Sequence, residues 1–143
     1  KGLLCNCLIM TSETIQKYKH LSTARLKEKA RQYFHIWIRN RDQDLPCINC
    51  GRYTTLQAGH YFAAGKYNSL RFNEDNVHGE CLQCNYFDSQ SHAQKYRPNL
   101  IKKIGQERYD KLELIAKTQR SHKDNRIEFI EIIEKYTTLL KIK

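Results

Sequence analysis

The chain has 143 residues, of which 25 are Lys or Arg and 15 are Asp or Glu, so its formal net charge is +10. This length fits a single domain with one modest core, and the positive charge favours a polyanionic partner, most commonly nucleic acid. No stretch approaches the roughly 20 apolar residues of a membrane-spanning helix, and no secretory signal is visible, so we expect no membrane partner.

The positive charge is concentrated in the two flanks of the chain. Residues 1–46 carry a surplus of +5 and residues 98–143 a surplus of +4, whereas residues 47–97 carry only +1. We therefore expect the flanks to hold a phosphate backbone while the centre carries the chemistry. A lysine-rich surface that only faces water is the alternative explanation of the charge.

The N-terminal part is predicted to be a tail followed by a helix. Residues 1–22 show no clear period; within them, Cys5 and Cys7 belong either to a second metal site or to idle thiols. Apolar residues then recur at spacings of three and four, which predicts a helix over 23–44 with a basic outer face. The helix ends before Pro46, because the residue that precedes a proline avoids helical angles.

Residues 23–143 are predicted to form one domain. Its centre, 45–97, contains a short strand that ends at His60, and its C-terminal part, 98–143, is predicted to be helical again. A break is expected at Gly105, and Asn125 has the residue type that caps the start of a final helix. The expected fold class is therefore α+β.

Two Cys-x-x-Cys pairs, Cys47/Cys50 and Cys81/Cys84, bracket this centre. Four thiolates in this pattern can close a tetrahedral Zn²⁺ site, and such a structural zinc would stabilise a small core. Six cysteines in a chain without a visible signal indicate a reducing compartment and metal binding rather than disulfides. A redox pair is the other explanation, but the βαβ pattern that it needs is absent.

Three residues between and beside the cysteines have the chemistry of phosphodiester hydrolysis: His60, Asn76 and Asn85. A neutral imidazole near pH 7 can take a proton from water, and a divalent cation on a hard oxygen ligand can offset charge on the phosphate. His60 at the end of a strand and Asn85 directly after the last cysteine could face each other across such a site.

These residues, with their surroundings, resemble the HNH (ββα-metal) nucleases that carry a zinc knuckle, and more closely the bacteriophage NinG, or Rap, recombination endonuclease family. The resemblance runs from about Arg31 to Tyr136 and leaves the first 20 residues outside. It rests on the motifs Cys47-x-x-Cys50, Ala58-Gly59-His60-Tyr61, and the run from Asn76 to Asn85, together with the segments 38–46, 70–74 and 100–107.

By this resemblance His60 is the general base, Asn76 the asparagine that fixes the loop carrying the base, and Asn85 a ligand of the catalytic Mg²⁺ or Mn²⁺. The superfamily often has Asp or His directly before the base as a second metal ligand, but this chain has Gly59 there. Either the cation is held by Asn85 together with DNA phosphates and water, or another side chain contributes, for which Asp88, Glu80 and His78 are candidates.

Five basic residues near the site in sequence are candidates for contacts with DNA phosphates: Lys66, Arg71, Arg97, Lys102 and Lys103. Each can equally be a solvated surface charge. Four other histidines have no role assigned from the sequence: His20, His35, His92 and His122.

The sequence therefore predicts a zinc-stabilised ββα-metal core flanked by N- and C-terminal helices. The resemblance implies a divalent-metal-dependent DNA endonuclease that acts on branched recombination intermediates, such as D-loops and junctions, in the cytoplasm of a phage-infected bacterium. A homodimer and other recombination proteins are open as partners. The alternatives are a non-catalytic, zinc-dependent DNA-binding module and a sequence-specific HNH nuclease.

Overall fold

A computed structural model describes residues 10–87 and 92–141. In this part of the chain the fold is α+β and mostly helical, with one two-stranded sheet. The elements are α1 (Ser12–Tyr18), α2 (Thr23–Asp42), β1 (Leu56–His60), a 3₁₀ turn (Asn68–Leu70), β2 (Val77–Cys81), a π-helical turn (Gln83–Phe87), α3 (His92–Ile104), α4 (Gln106–Thr118) and α5 (Arg126–Lys141). None of these helices is long and apolar enough to cross a bilayer.

The chain divides into two compact units. One unit combines the described residues up to Phe34 with those from Asp124 onward, and the other spans His35–Lys123. The segment predicted to be a tail contains α1, whose first turn is capped by a hydrogen bond of 3.2 Å from the Thr14 amide to Thr11 Oγ1. Cys5 and Cys7 lie outside the described residues.

In the first unit, α2 packs through side chains that recur every fourth residue. Leu26, Ala30 and Phe34 are completely buried, as the apolar period predicts. The Phe34 ring meets the edge of Tyr136 from α5, with ring centroids 5.1 Å apart. The basic residues between these positions are thereby left on the outer face of the helix.

Two of the predicted helix boundaries are confirmed and one is wrong. Asn125 caps α5, since its Oδ1 accepts the amide hydrogen of Ile127 at 2.9 Å, and Gly105 separates α3 from α4 with a φ of +87°. Helix α3, however, begins at His92, so that Pro98 lies inside it. Burial on one face outweighs the poor helix propensity of the proline; the buried side chains of α3 are Tyr96, Leu100 and Ile104.

The second unit is organised around the antiparallel hairpin of β1 and β2. Gln57 pairs with Glu80, and Gly59 pairs with His78. Since residues that lie opposite each other share a face and successive residues alternate, Gly59, His78 and Glu80 lie on one face and His60 on the other. The core of this unit comprises Leu70, Tyr96, Leu100, Ile104, Tyr109, Leu112 and Ala116.

Candidate functional site

The four cysteines of the two Cys-x-x-Cys pairs come together at the base of the hairpin. Their Sγ atoms all lie within 4.8 Å of one another, and Cys47, Cys81 and Cys84 are buried while Cys50 is exposed. Cys50 Sγ and Cys81 Sγ are 3.8 Å apart. Two sulfurs in a tetrahedral zinc site, each about 2.3 Å from the metal, are separated by about 3.8 Å. The four thiols are therefore placed to bind one zinc ion.

The four thiols differ in how readily they ionise without a metal. Burial raises the pKa of Cys47, and burial together with neighbouring thiols raises the pKa of Cys84. Burial opposes ionisation at Cys50 as well, but hydrogen bonds from Arg52 lower its pKa to about 6. Unequal ionisation of this kind is removed when a divalent cation binds, because it deprotonates each coordinating thiol.

The first knuckle is folded back onto the second strand by backbone hydrogen bonds. The Ile48 amide donates to the carbonyl oxygen of Gly79 at 3.0 Å, and the Cys47 amide donates to that of Arg52 at 2.9 Å. Gly51 closes the turn with a φ of +74°, a conformation that a residue with a side chain rarely adopts. The two cysteine pairs therefore meet because the knuckle and the hairpin pack on each other.

His60 ends β1 and is held in one orientation. Its Nε2 lies 3.0 Å from the carbonyl oxygen of Arg71, and since a carbonyl only accepts, Nε2 carries the hydrogen and Nδ1 keeps the lone pair. Burial lowers the pKa of His60 below its ordinary 6.5; the charge of Arg71 adds to this effect, and the hydrogen bond to the carbonyl opposes it. The imidazole is therefore neutral at pH 7 and basic at Nδ1.

Asn76 fixes the loop that follows His60. Its Oδ1 accepts the Phe62 amide hydrogen at 2.8 Å, and its Nδ2 donates to the carbonyl oxygens of Phe62 and Leu70, both at 3.0 Å. The side chain is completely buried, and its carbonyl oxygen also accepts the Tyr61 amide hydrogen at 2.9 Å. One asparagine thus closes the loop at both ends through backbone atoms.

Asn85 directly follows Cys84 within the π-helical turn Gln83–Phe87, and it is half-buried. The turn begins two residues after the end of β2 and includes Cys84, so the second cysteine pair determines where Asn85 lies. The next two side chains, Tyr86 and Phe87, are exposed to 71% and 70%. Asp88, a candidate metal ligand, lies outside the described residues.

The carboxylate of Glu80 occupies the space beside Gly59. A Cβ atom placed on Gly59 would lie 2.8 Å from Glu80 Cβ and would overlap the carboxylate. Glu80 is completely buried; its Oε1 accepts a hydrogen bond from Asn49 Nδ2 at 3.0 Å, and its Oε2 lies 3.2 Å from Nε2 of His92. The carboxylate of Glu80, on the opposite strand, therefore lies where a side chain of residue 59 would begin.

His78, another candidate ligand, uses both ring nitrogens in a buried network. Its Nε2 lies 3.0 Å from the carbonyl oxygen of Asp75 and its Nδ1 3.0 Å from a guanidinium nitrogen of Arg41. Burial, with the charge of Lys103, lowers the pKa of His78 to about 4. Burial opposes ionisation of Asp42, yet hydrogen bonds and charge from Arg41 lower its pKa to about 2. The network joins the end of α2 to the hairpin.

The five basic candidates differ in their surroundings. Lys103 pairs with the buried Asp42 at 3.0 Å, and Arg97 lies 5.3 Å above the Tyr109 ring. Lys66 lies 5.6 Å above the Tyr67 ring, and it is exposed. Lys102 is exposed in the last turn of α3, while Arg71 accepts the His60 hydrogen bond through its backbone.

Two histidines without a role in the sequence analysis lie beside candidate site residues. The ring of His35, from α2, has its centroid 5.7 Å from that of His60, and His92 contacts Glu80. No motif could reveal either one, because each approaches the hairpin from a helix distant in the chain. The available signal for His35 was its spacing: it lies three residues before the buried Ile38 and therefore on the same face of α2.

The unit from His35 to Lys123 is thus a small α+β fold built on a hairpin whose four clustered cysteines could hold a metal ion. Residues 11–143 match the family model described as "NinG: Bacteriophage Lambda NinG protein". The chain belongs to the NinG family. The match begins at residue 11, which is earlier than the resemblance inferred from the motifs and includes α1.

Three curated relatives give the extent of the similarity. Over 88 residues the chain is 46% identical to protein ninG of Escherichia phage lambda and 44% identical to that of Escherichia phage 933W; each match covers 60% of this chain and 43% of the relative. Identity to protein ninG of Salmonella phage P22 is 41% over 95 residues, which are 65% of this chain and 46% of that protein. The matches thus span less than half of these relatives. No solved structure matches the chain significantly.

Proposed function

We propose that this protein is a divalent-metal-dependent, structure-selective DNA endonuclease with an HNH-like core. The observation that carries the proposal is the hydrogen bond from His60 Nε2 to the carbonyl oxygen of Arg71. It leaves Nδ1 of a neutral imidazole as a base, in a loop held by Asn76 and on a hairpin tied to the four cysteines. Membership of the NinG family and the net charge of +10 support a nucleic-acid substrate.

In the proposed reaction, Nδ1 of His60 takes a proton from a water molecule as its oxygen attacks phosphorus. A P–O bond to that oxygen forms, the bond to the leaving sugar oxygen breaks, and the leaving oxygen takes up a proton from solvent. Asn76 keeps the base in place through the loop, and its hydrogen bonds to backbone atoms resist displacement of His60. Bound Mg²⁺ or Mn²⁺, held in part by Asn85, supplies Lewis acidity that offsets charge on the phosphate.

The substrate class, branched recombination intermediates such as D-loops and junctions, rests on the resemblance to the Rap endonucleases. Exposed cations suit contacts with phosphates on either side of a cut, since each contact is worth more at low salt. The proposed contact residues are the exposed Lys66, Arg97 and Lys102, together with the half-buried Arg71. A phage-encoded enzyme of this kind would act in the host cytoplasm, and pairing as a homodimer would bring two sites to a branch.

The test is cleavage of matched branched and linear DNA by the zinc-loaded protein with Mg²⁺. We expect nicking near the branch, and we expect His60→Ala to lose about 10²–10⁴-fold in rate, the usual contribution of a general base. His20→Ala is the control, because His20 is exposed in the other compact unit. A parent that cleaves neither DNA, or a His60→Ala protein as active as the parent, would falsify the assignment.

A non-catalytic, zinc-dependent DNA-binding module is the second candidate, since the cysteine cluster and the positive charge suffice for it. It predicts binding to branched DNA that survives His60→Ala, with no cleavage by the parent. A sequence-specific HNH nuclease predicts instead one defined cut in a linear duplex and no preference for a branch. The same assay separates all three.

A further inference from the structure

Three side chains from distant parts of the sequence meet beside Gly59. Glu80 comes from β2, His92 is the first residue of α3, and Asn49 lies inside the first zinc knuckle. Nε2 of His92 lies 3.0 Å from Oε1 and 3.2 Å from Oε2 of Glu80, and Asn49 Nδ2 donates to Oε1 at 3.0 Å. Two atoms that ligate one cation about 2.1 Å away lie close to 3 Å apart when their bonds to it are perpendicular.

The amide oxygen of Asn49 gives an independent indication of a ligand. Asn49 is 4% exposed, and its buried Oδ1 has no hydrogen-bond partner among the described residues. Nδ2 rather than Oδ1 faces Glu80 in this orientation. Turning the amide over would bring Oδ1 to the carboxylate, an arrangement that a cation bound between the two oxygens would stabilise. A buried acceptor without a donor is costly, by about 1–3 kcal/mol, so an orphan of this kind requires an explanation. A cation or an ordered water is the partner that the surroundings allow.

Gly59 explains why the carboxylate can be there. Any residue with a Cβ at this position would collide with Glu80. The carboxylate therefore comes from Glu80 on β2, and Gly59 on β1 leaves the space that it occupies. Glu80 itself is completely buried, whereas the His92 side chain is 20% exposed, so His92 is the member of the pair that reaches solvent.

We propose that Glu80, His92 and Oδ1 of Asn49 form a divalent-cation site separate from the four cysteines. The donor set of carboxylate, amide oxygen and one imidazole suits Mn²⁺, which accepts nitrogen more readily than Mg²⁺ does. Cation binding at this site does not need the nuclease activity. The further assignment of this ion as the catalytic cation, with Glu80 as the ligand that Gly59 cannot supply, rests on the proposed function.

The test is a titration of the zinc-loaded protein with Mn²⁺ in the absence of DNA. Free Mn²⁺ is followed by its paramagnetic resonance signal, and the heat of binding is measured in parallel. The parent should bind one Mn²⁺ per chain. Glu80→Gln and His92→Gln should each weaken binding at least about 10-fold. Glu113→Gln is the control with the same loss of charge, because Glu113 lies in α4 and bonds to Tyr109; it should bind as the parent does.

Gly59→Ala keeps all three ligands but moves the carboxylate, so it should also weaken Mn²⁺ binding. This variant answers the objection that Glu80→Gln misfolds, and zinc content and thermal unfolding are measured for each protein. A parent that binds no Mn²⁺, with the orphan Asn49 oxygen bonded only to water, overturns the site. Binding by Glu80→Gln and His92→Gln as tight as that of the parent also overturns it, leaving a salt bridge between strand and helix.

The two proposals fail in different ways. A parent that binds Mn²⁺ through Glu80 but cleaves no DNA supports the site and contradicts the nuclease. A parent that cleaves branched DNA while Glu80→Gln retains full Mn²⁺ affinity contradicts the site and supports the nuclease.

Discussion

Nε2 of His60 donates a hydrogen bond of 3.0 Å to the carbonyl oxygen of Arg71, which locks the end of β1 to the far end of the loop that follows it. Because the bond defines the tautomer, the basicity of Nδ1 depends on the environment of the ring and on the charge of Arg71. The rate of cleavage should therefore report on both.

The first prediction concerns the pH dependence of cleavage. In the proposed reaction the neutral imidazole of His60 is the active form, and burial lowers its pKa in the fold. Activity should therefore be full at pH 7, persist below pH 6.5 and be lost as the pH falls through the lowered pKa. Arg71→Gln removes a charge that lowers this pKa, so the acidic midpoint should move to higher pH. The measurement is single-turnover nicking across pH with zinc-loaded protein. An unchanged midpoint in Arg71→Gln would contradict the electrostatic role.

The second prediction tests the closure of the loop by Asn76. Asn76→Asp keeps the acceptor for the Phe62 amide but leaves two carbonyl oxygens facing a carboxylate. The free energy of unfolding should fall by at least about 2 kcal/mol, measured by urea denaturation at pH 7. Asn73→Asp is the matched control, because among the described residues the Asn73 side chain makes one hydrogen bond, in which its Oδ1 accepts the Asp75 amide hydrogen at 2.9 Å. Equal losses in the two variants would contradict the closure.

The third prediction is a loss of stability at mildly acid pH that originates at His78. Its folded pKa, about 4, lies below its ordinary 6.5, so the unfolded chain binds the proton first. The neutral form therefore contributes stability above pH 6.5 that is lost as the pH falls from 6.5 to about 4, on the order of 3 kcal/mol. Asp42 acts lower, with stability lost between 3.8 and about 2.

The measurement for His78 is the free energy of unfolding as a function of pH in the parent and in His78→Gln. Glutamine can donate to the Asp75 carbonyl or accept from Arg41 without titrating. The curve should flatten between pH 6.5 and 4. A parent curve that is already flat in this window would show that His78 is not held neutral.

The fourth prediction separates two adjacent lysines. Lys102 is exposed, whereas Lys103 is 27% exposed and pairs with Asp42 at 3.0 Å. Lys102→Ala should weaken DNA binding and reduce the salt slope by about 1, with stability unchanged. Lys103→Ala should lower the free energy of unfolding by about 2 kcal/mol and leave the slope as it was. DNA binding is measured as a function of salt, and stability by urea denaturation. A loss of stability in Lys102→Ala and a loss of DNA binding in Lys103→Ala would refute the prediction.

The fifth prediction separates the two kinds of metal. Chelation of zinc should unfold the unit that contains the hairpin, since the four thiols lie at its base. Withdrawal of Mg²⁺ should abolish cleavage and leave circular dichroism unchanged. Cys81→Ser should reproduce the zinc effect, because Cys81 is buried. Loss of structure on withdrawal of Mg²⁺ alone would count against the division.

The cysteine cluster could be predicted from the sequence, because each Cys-x-x-Cys motif forms a local turn with two neighbouring thiols. Two such turns together supply the four ligands of one tetrahedral metal site. The predicted end of β1 at His60 and the cap at Asn125 depend on short-range signals in the same way. These features are encoded within a few residues of where they occur.

The relation between Gly59 and Glu80 could not be predicted, because it depends on the register of two strands and on the direction of one side chain. The sequence indicated only that a ligand was missing at Gly59 and that Glu80 was a candidate. The approach of His92 and the start of α3 before Pro98 depend on packing against the hairpin and the helical core. Pro98 argued against a continuous helix there, and tertiary burial outweighed it.

Asn76 holds its loop through backbone atoms of Phe62 and Leu70, so the side chains at the tip of the loop contribute little to its conformation. Gly65 has open space around it, since an added Cβ would meet nothing within 4 Å, and Lys66 is exposed. Side chains at these two positions can therefore be exchanged over evolutionary time, or by grafting, without moving His60. The surface chemistry of the loop tip can therefore change while the position of His60 stays the same.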